Sequence, residues 1–130
     1  MRRLQTRAQF QAALSGMTVA RTAHFALHRC ALDAPAGAPA PSLFQPADVW
    51  LGAMVPKRWA RRAVTRNAIR RQIYAVSGSP EFSLPSAAHV VRLRAGFDRR
   101  QFVSATSEQL KRVVRAELLQ LFARAARVPA

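Results

Sequence analysis

Between Lys57 and Arg71 the chain carries seven cations (Lys57, Arg58, Arg61, Arg62, Arg66, Arg70 and Arg71) and no acid. This run constrains the fold more than any other feature. At about 100° per residue, Ile69, Ile73 and Val76 fall on one face of a helix over 61–76. That stripe needs an apolar surface to dock on. Asn67, Arg70, Arg71 and Tyr74 fall on the opposite side, with Arg66 flanking them. Like charges this close repel one another, and a solvated helix face normally intersperses Glu among them. The helix therefore expects a polyanion to offset the repulsion.

The whole chain repeats the imbalance. It has 130 residues, a formal charge of +15 and only six acids. Nineteen of the cations are Arg and two, Lys57 and Lys111, are Lys. Nucleic acid is the polyanion that best fits, because Arg binds phosphate with two parallel hydrogen bonds and stacks on bases. Half the residues are apolar, enough for a core, and the length suits one domain over 1–130. The lone Cys30 makes no intramolecular disulfide. No apolar run is long enough to span a bilayer and no signal peptide follows Met1, so a cytoplasmic protein is expected.

Thr6 and Gln9 have capping-box spacing and open a helix over 4–16, with an apolar stripe of Leu4, Phe10, Ala13 and Leu14. Residues 22–32 read as a strand, with Phe25 and Leu27 on one side and His24, Ala26 and His28 on the other. Prolines make 33–48 a loop, with room for a short edge strand near Leu43 and Phe44. Strands follow at 49–55 and 88–94, and a last helix at 107–125 opens on a second capping box, Thr106 and Gln109. The expected fold is α+β: a single-domain α/β sandwich, a small mostly antiparallel sheet with three helices in the order α-β-β-β-α-β-α.

The run from Lys57-Arg58 through Arg61-Arg62-Ala63 to Arg66-Asn67-Ala68-Ile69-Arg70-Arg71 resembles the signature of the protein subunit of bacterial ribonuclease P, in its proteobacterial form. That family has paired basic residues at a strand end, then an Arg-Asn-Arg motif on a helix. The order of elements around it is similar too, from a first helix bearing Phe10 to a long last helix. There are two departures. Ala68 stands at the third motif position, and Leu14 stands where the family often has a second aromatic.

The resemblance implies a left-handed βαβ crossover around the motif helix, against the usual handedness rule. It also implies a division of labour, in which a catalytic RNA cleaves the 5′ leader from precursor tRNA and the protein binds both. Lys57, Arg58, Arg61, Arg62, Arg66, Asn67, Arg70 and Arg71 are the expected contacts to RNA. Phe10, Leu14, Phe25, Arg92 and Arg94 are the expected leader contacts, in a groove between the first helix and the sheet. No catalytic residue is expected in the protein. Phosphodiester hydrolysis by protein groups uses clustered carboxylates holding metal ions, and the six acids here are scattered. The Mg²⁺ needed by the holoenzyme is expected on RNA, with no cofactor or metal on the protein alone, no membrane and no obligate protein partner.

Plainer readings apply elsewhere. His24, His28 and Cys30 alternate along one strand, which does not converge them on a metal. Trp50 and Trp59 read as packing residues, with contact to RNA left open for Trp59 because it sits inside the basic run, and the cations of the last helix read as a solvated rim. The alternative function is a structural RNA-binding protein of ribosomal type. A DNA-binding domain would prefer duplex, and a membrane-surface helix would need exposed bulky apolar residues.

Overall fold

The computed structural model describes residues 1–32, 43–44, 47–79, 82–97 and 108–128. Most of the proline-rich loop, and Thr106 of the second expected capping box, lie outside the described residues. The elements are β1 (Arg2–Arg3), α1 (Arg7–Leu14), β2 (Met17–Arg21), β3 (Phe25–Cys30), β4 (Trp50–Met54), α2 (Ala63–Ser77), β5 (Ala88–Leu93) and α3 (Glu108–Ala125).

They build one five-stranded sheet in the order β1-β4-β5-β3-β2. The β2–β3 and β3–β5 pairs are antiparallel, and β1–β4 and β4–β5 are parallel. The sheet is thus mixed rather than mostly antiparallel. The parallel β4–β5 pair follows from α2, which carries the chain back to the end where β4 began.

Two strands differ from the sequence expectation. Residues 17–30 form a hairpin instead of one strand over 22–32, because Thr22 N–H bonds back to Phe25 O at 2.9 Å. The turn uses Thr22, Ala23 and His24, without Gly, Pro or Asn to mark it. Leu43 and Phe44 are not a strand. Gln9 Nε2 donates to Leu43 O at 3.0 Å, and the Phe44 ring packs 6.0 Å from Trp50.

Alternation along the strands sorts side chains to two faces. Phe25, Leu27, Leu51, Ala53, Val91 and Leu93 face the larger core, closed by Ile69, Ile73 and Val76 of α2 and Val114, Leu118, Leu121 and Phe122 of α3. The α2 stripe docks as its spacing requires, each side chain contributing roughly 1.5–3 kcal/mol by burial. The opposite face carries Trp50, Ala88 and Val90 under Leu4, Phe10, Ala13 and Leu14. The Thr6 capping box forms, with both reciprocal hydrogen bonds. Because α1 is only two turns long, it covers part of its face, and beside it runs a strip of sheet on which Ala26 and His28 are buried and Met54 and Arg92 half-buried.

Candidate nucleic-acid interface

The first cationic surface is the outer side of α2. Asn67, Arg70, Arg71 and Tyr74 come together as their spacing predicts, and with Arg3 and Ala75 they line a cavity of about 510 Å³. Arg3 was not legible as a site residue. The short strand β1 brings it to the edge of the sheet, where its guanidinium lies 3.9 Å from the centre of the Tyr74 ring. Tyr74 Oη in turn accepts the N–H of Ala53, which β1 is too short to reach. Arg70 Nη1 donates to Asn67 Oδ1 at 3.1 Å, which leaves the Asn67 amide N–H groups facing outward.

Arg66 differs from its expected exposed role. It is half-buried, and Nη1 donates to the carbonyls of Ala60 and Arg61, both at 2.9 Å. It fastens the turn after β4 to the start of α2, where Arg62 provides no side-chain cap. Lys57, Arg58, Arg61 and Arg62 along that turn are exposed. Ala68 is 8% exposed, so the position at which the motif departs from Arg points inward.

The second surface is the sheet strip beside α1. Phe10 and Leu14 are half-buried along its wall. The Phe10 ring rests on Gly52, where a Cβ would lie 2.5 Å from its Cε1. One step along the strip, Arg92 pairs across the ladder with Met54 and Ala26. Arg92 Nε donates to His28 Nε2 at 3.2 Å, and His28 Nδ1 lies 3.2 Å from Thr18 Oγ1. Burial, and then the charges of Arg94, Arg21 and Arg58, pull the Arg92 pKa down. The charges of three other arginines thus reach Arg92 at one end of the strip. Arg94 holds the hairpin turn, with Nη1 donating to the carbonyls of Thr22 and Ala23 at 3.0 and 3.1 Å.

Phe25 is a correction. It is fully buried on the other face, 6.1 Å from Phe97 and beneath α3, so it cannot line a groove with Phe10. Phe25 and Leu27 share a face as the alternation implies, but His24 lies against α3 and Phe97 rather than with Ala26 and His28, and which helix covers each face is set by the chain path. Ala26 and His28, on the alternate positions, face the strip instead.

The described acids serve elsewhere. Asp48 pairs with the N-terminal amine and Arg2, Glu108 with Lys111, and Glu117 with His24. The histidines part company: His24 joins α3, His28 the strip, and His89 the core. Among the described residues no three His, Cys, Asp or Glu side chains could hold a metal ion, and no helix is long and apolar enough to cross a membrane. Cys30 is half-buried, which raises its thiol pKa.

The ribonuclease P family model matches residues 1–125. The ribonuclease P protein component of Bordetella parapertussis is 38% identical over 125 residues, covering 96% of this chain and 92% of its own. That of Bordetella petrii is 36% identical over 122 residues, covering 94% and 89%. A solved structure of the Staphylococcus aureus ribonuclease P protein superposes with a TM-score of 0.57 at 18% identity, over 94% of this chain and 98% of that one, a likeness of fold. Sequence match, shared fold and two surfaces that carry no acid among the described residues lead to one conclusion: the chain belongs to the ribonuclease P protein family, the protein components of an enzyme of tRNA processing.

Proposed function

We propose that α2 and the turn before it grip the catalytic RNA of ribonuclease P, while the strip beside α1 holds the 5′ leader of precursor tRNA. The RNA does the bond-breaking, and the protein lowers the electrostatic cost of bringing two polyanions together. One observation carries this reading: two adjoining surfaces are lined by arginines, while every described carboxylate is paired away from them. The Mg²⁺ of the reaction then belongs on RNA phosphates, because the donors on these surfaces are cations and amides. The complex would act in the cytoplasm and need no further obligate protein partner.

Phe10 offers a ring for an unpaired leader base, and Arg92, Arg94 and Arg58 offer charge for its backbone. The family match favours this reading over a structural protein of ribosomal type, which has no use for a leader strip. The test is reconstitution. With its cognate RNA the protein should promote cleavage of precursor tRNA at low Mg²⁺, where RNA alone is slow and protein alone is inactive. Equal cleavage with and without protein across Mg²⁺ concentrations would refute it.

A further inference from the structure

The two tryptophans have different fates. Trp50 is 7% exposed and packs against Phe44, but Trp59 is 38% exposed, against its expected role in packing. Its backbone is nevertheless held on three sides. Trp59 N–H bonds to Pro56 O at 3.1 Å, and Ala60 N–H to the same carbonyl at 3.2 Å. Arg66 fastens the next two carbonyls. Beyond β5, Gly96 packs so closely that a Cβ there would lie 3.0 Å from Trp59 O. A rigid turn therefore presents an open indole, which loses little entropy on binding.

The surroundings identify the ligand. The Arg58 guanidinium lies 5.3 Å from the centre of the Trp59 ring. Lys57, Arg61 and Arg62 are exposed on the same turn, without an acid. An aromatic plane framed by phosphate-binding groups suits a nucleotide, and an unpaired one, since a duplex hides its base faces. The turn also joins the two surfaces already described: Arg58 is near enough to Arg92 to act on its charge, and Arg62 leads into α2.

We propose that Trp59 is a stacking platform for one unpaired RNA nucleobase at the junction of the strip and α2, with Arg58 and Lys57 on that nucleotide's phosphates. This rests on the reading that the chain binds RNA. The base comes either from the leader or from the catalytic RNA.

Indole emission reports it directly, with Trp59→Phe supplying the Trp50 background. Three probes are titrated: the catalytic RNA alone, and the reconstituted holoenzyme with precursor tRNA or with mature tRNA. Quenching by the catalytic RNA, or by precursor but not mature tRNA, supports the proposal and identifies the source of the base. Trp59→Ala should weaken the quenching complex by about tenfold, as expected for one lost stack, with the salt slope unchanged. Trp59→Phe should restore most of the affinity, and thermal melting should be unchanged in both variants. Unquenched emission with all three probes, or Trp59→Ala binding as tightly as the parent, would overturn it. So would equal weakness of the Phe and Ala variants together with a lowered Tm, or emission that responds to anionic phospholipid vesicles and not to RNA. If precursor and mature tRNA bind alike while the catalytic RNA still quenches Trp59, the leader reading fails and this proposal stands.

Discussion

His28 and Arg92 share a hydrogen bond that one protonation state of the imidazole allows. A guanidinium cannot accept, so Nε2 of His28 is bare where Arg92 Nε meets it at 3.2 Å, and Nδ1–H is left for the Thr18 hydroxyl. Burial, then the charges of Arg92 and Arg21, hold the His28 pKa below its ordinary 6.5. A leader phosphate drawn to Arg92 offsets that charge, so the complex holds the proton more strongly than the free protein. Leader affinity should therefore rise as pH falls below about 6.5. His28→Gln should flatten the profile in that window, measured as the Kd difference between precursor and mature tRNA.

Gly52 sets the height of the strip wall. An alanine Cβ would lie 2.5 Å from Phe10 Cε1 and 2.8 Å from Leu4 Cδ1, so both side chains must lift. Gly52→Ala should cost about 1–3 kcal/mol by overpacking and weaken leader binding, while binding to the catalytic RNA persists. Denaturant unfolding and the two binding assays separate these effects.

Arg66 and its neighbours on α2 should behave differently. Arg70→Ala with Arg71→Ala removes two exposed or half-exposed cations, and the slope of log K against log[salt] should fall by roughly 1–2. Arg66→Ala strips the Ala60 and Arg61 carbonyls of their donor. It should also lower stability, by about 1–3 kcal/mol, and loosen the turn bearing Lys57 and Arg58. Salt-dependent binding and thermal melting of both variants check this.

Glu117 ties α3 to the hairpin turn. Its Oε2 accepts from Thr22 Oγ1 at 2.6 Å and His24 N–H at 2.7 Å, and Oε1 meets His24 Nδ1 at 2.7 Å. Phe97 stacks on the His24 ring at 4.1 Å. Glu117→Ala should destabilise the fold by about 2–4 kcal/mol, since the carboxylate is mostly buried and its partners lose a charged acceptor. Equilibrium unfolding measures it.

His89 makes the fold acid-sensitive. Nε2–H donates to Pro85 O at 3.0 Å, and Nδ1 faces Arg29 Nε at 3.5 Å. Burial lowers its pKa to about 4, against the opposing effect of the Pro85 carbonyl and with help from the Arg29 charge. The unfolded chain takes up this proton first, so stability is full above about pH 6.5 and is lost as pH falls to about 4. The loss should reach up to about 3 kcal/mol. Imidazole NMR titration should show His89 neutral until about pH 4.

The α2 surface was legible because a helix displays its sequence: residues three and four apart meet wherever the helix packs. Asn67, Arg70, Arg71 and Tyr74 therefore share a cavity as their spacing implies. The Thr6 capping box was legible for the same local reason. The unmarked turn at 22–24 was not, because its closing partners, Arg94 and Glu117, are distant in sequence.

By itself, then, the sequence determined the helices, the two faces of β3 and the need for a polyanion, since periodicity and charge act over a turn or two of chain. Only the tertiary structure decided which face each helix covers. That choice buried Phe25 under α3, turned His28 toward Arg92, brought Arg3 to Tyr74 and left Trp59 open. Each depends on strands paired across long stretches of chain, where the energy lies in contacts that no local pattern encodes.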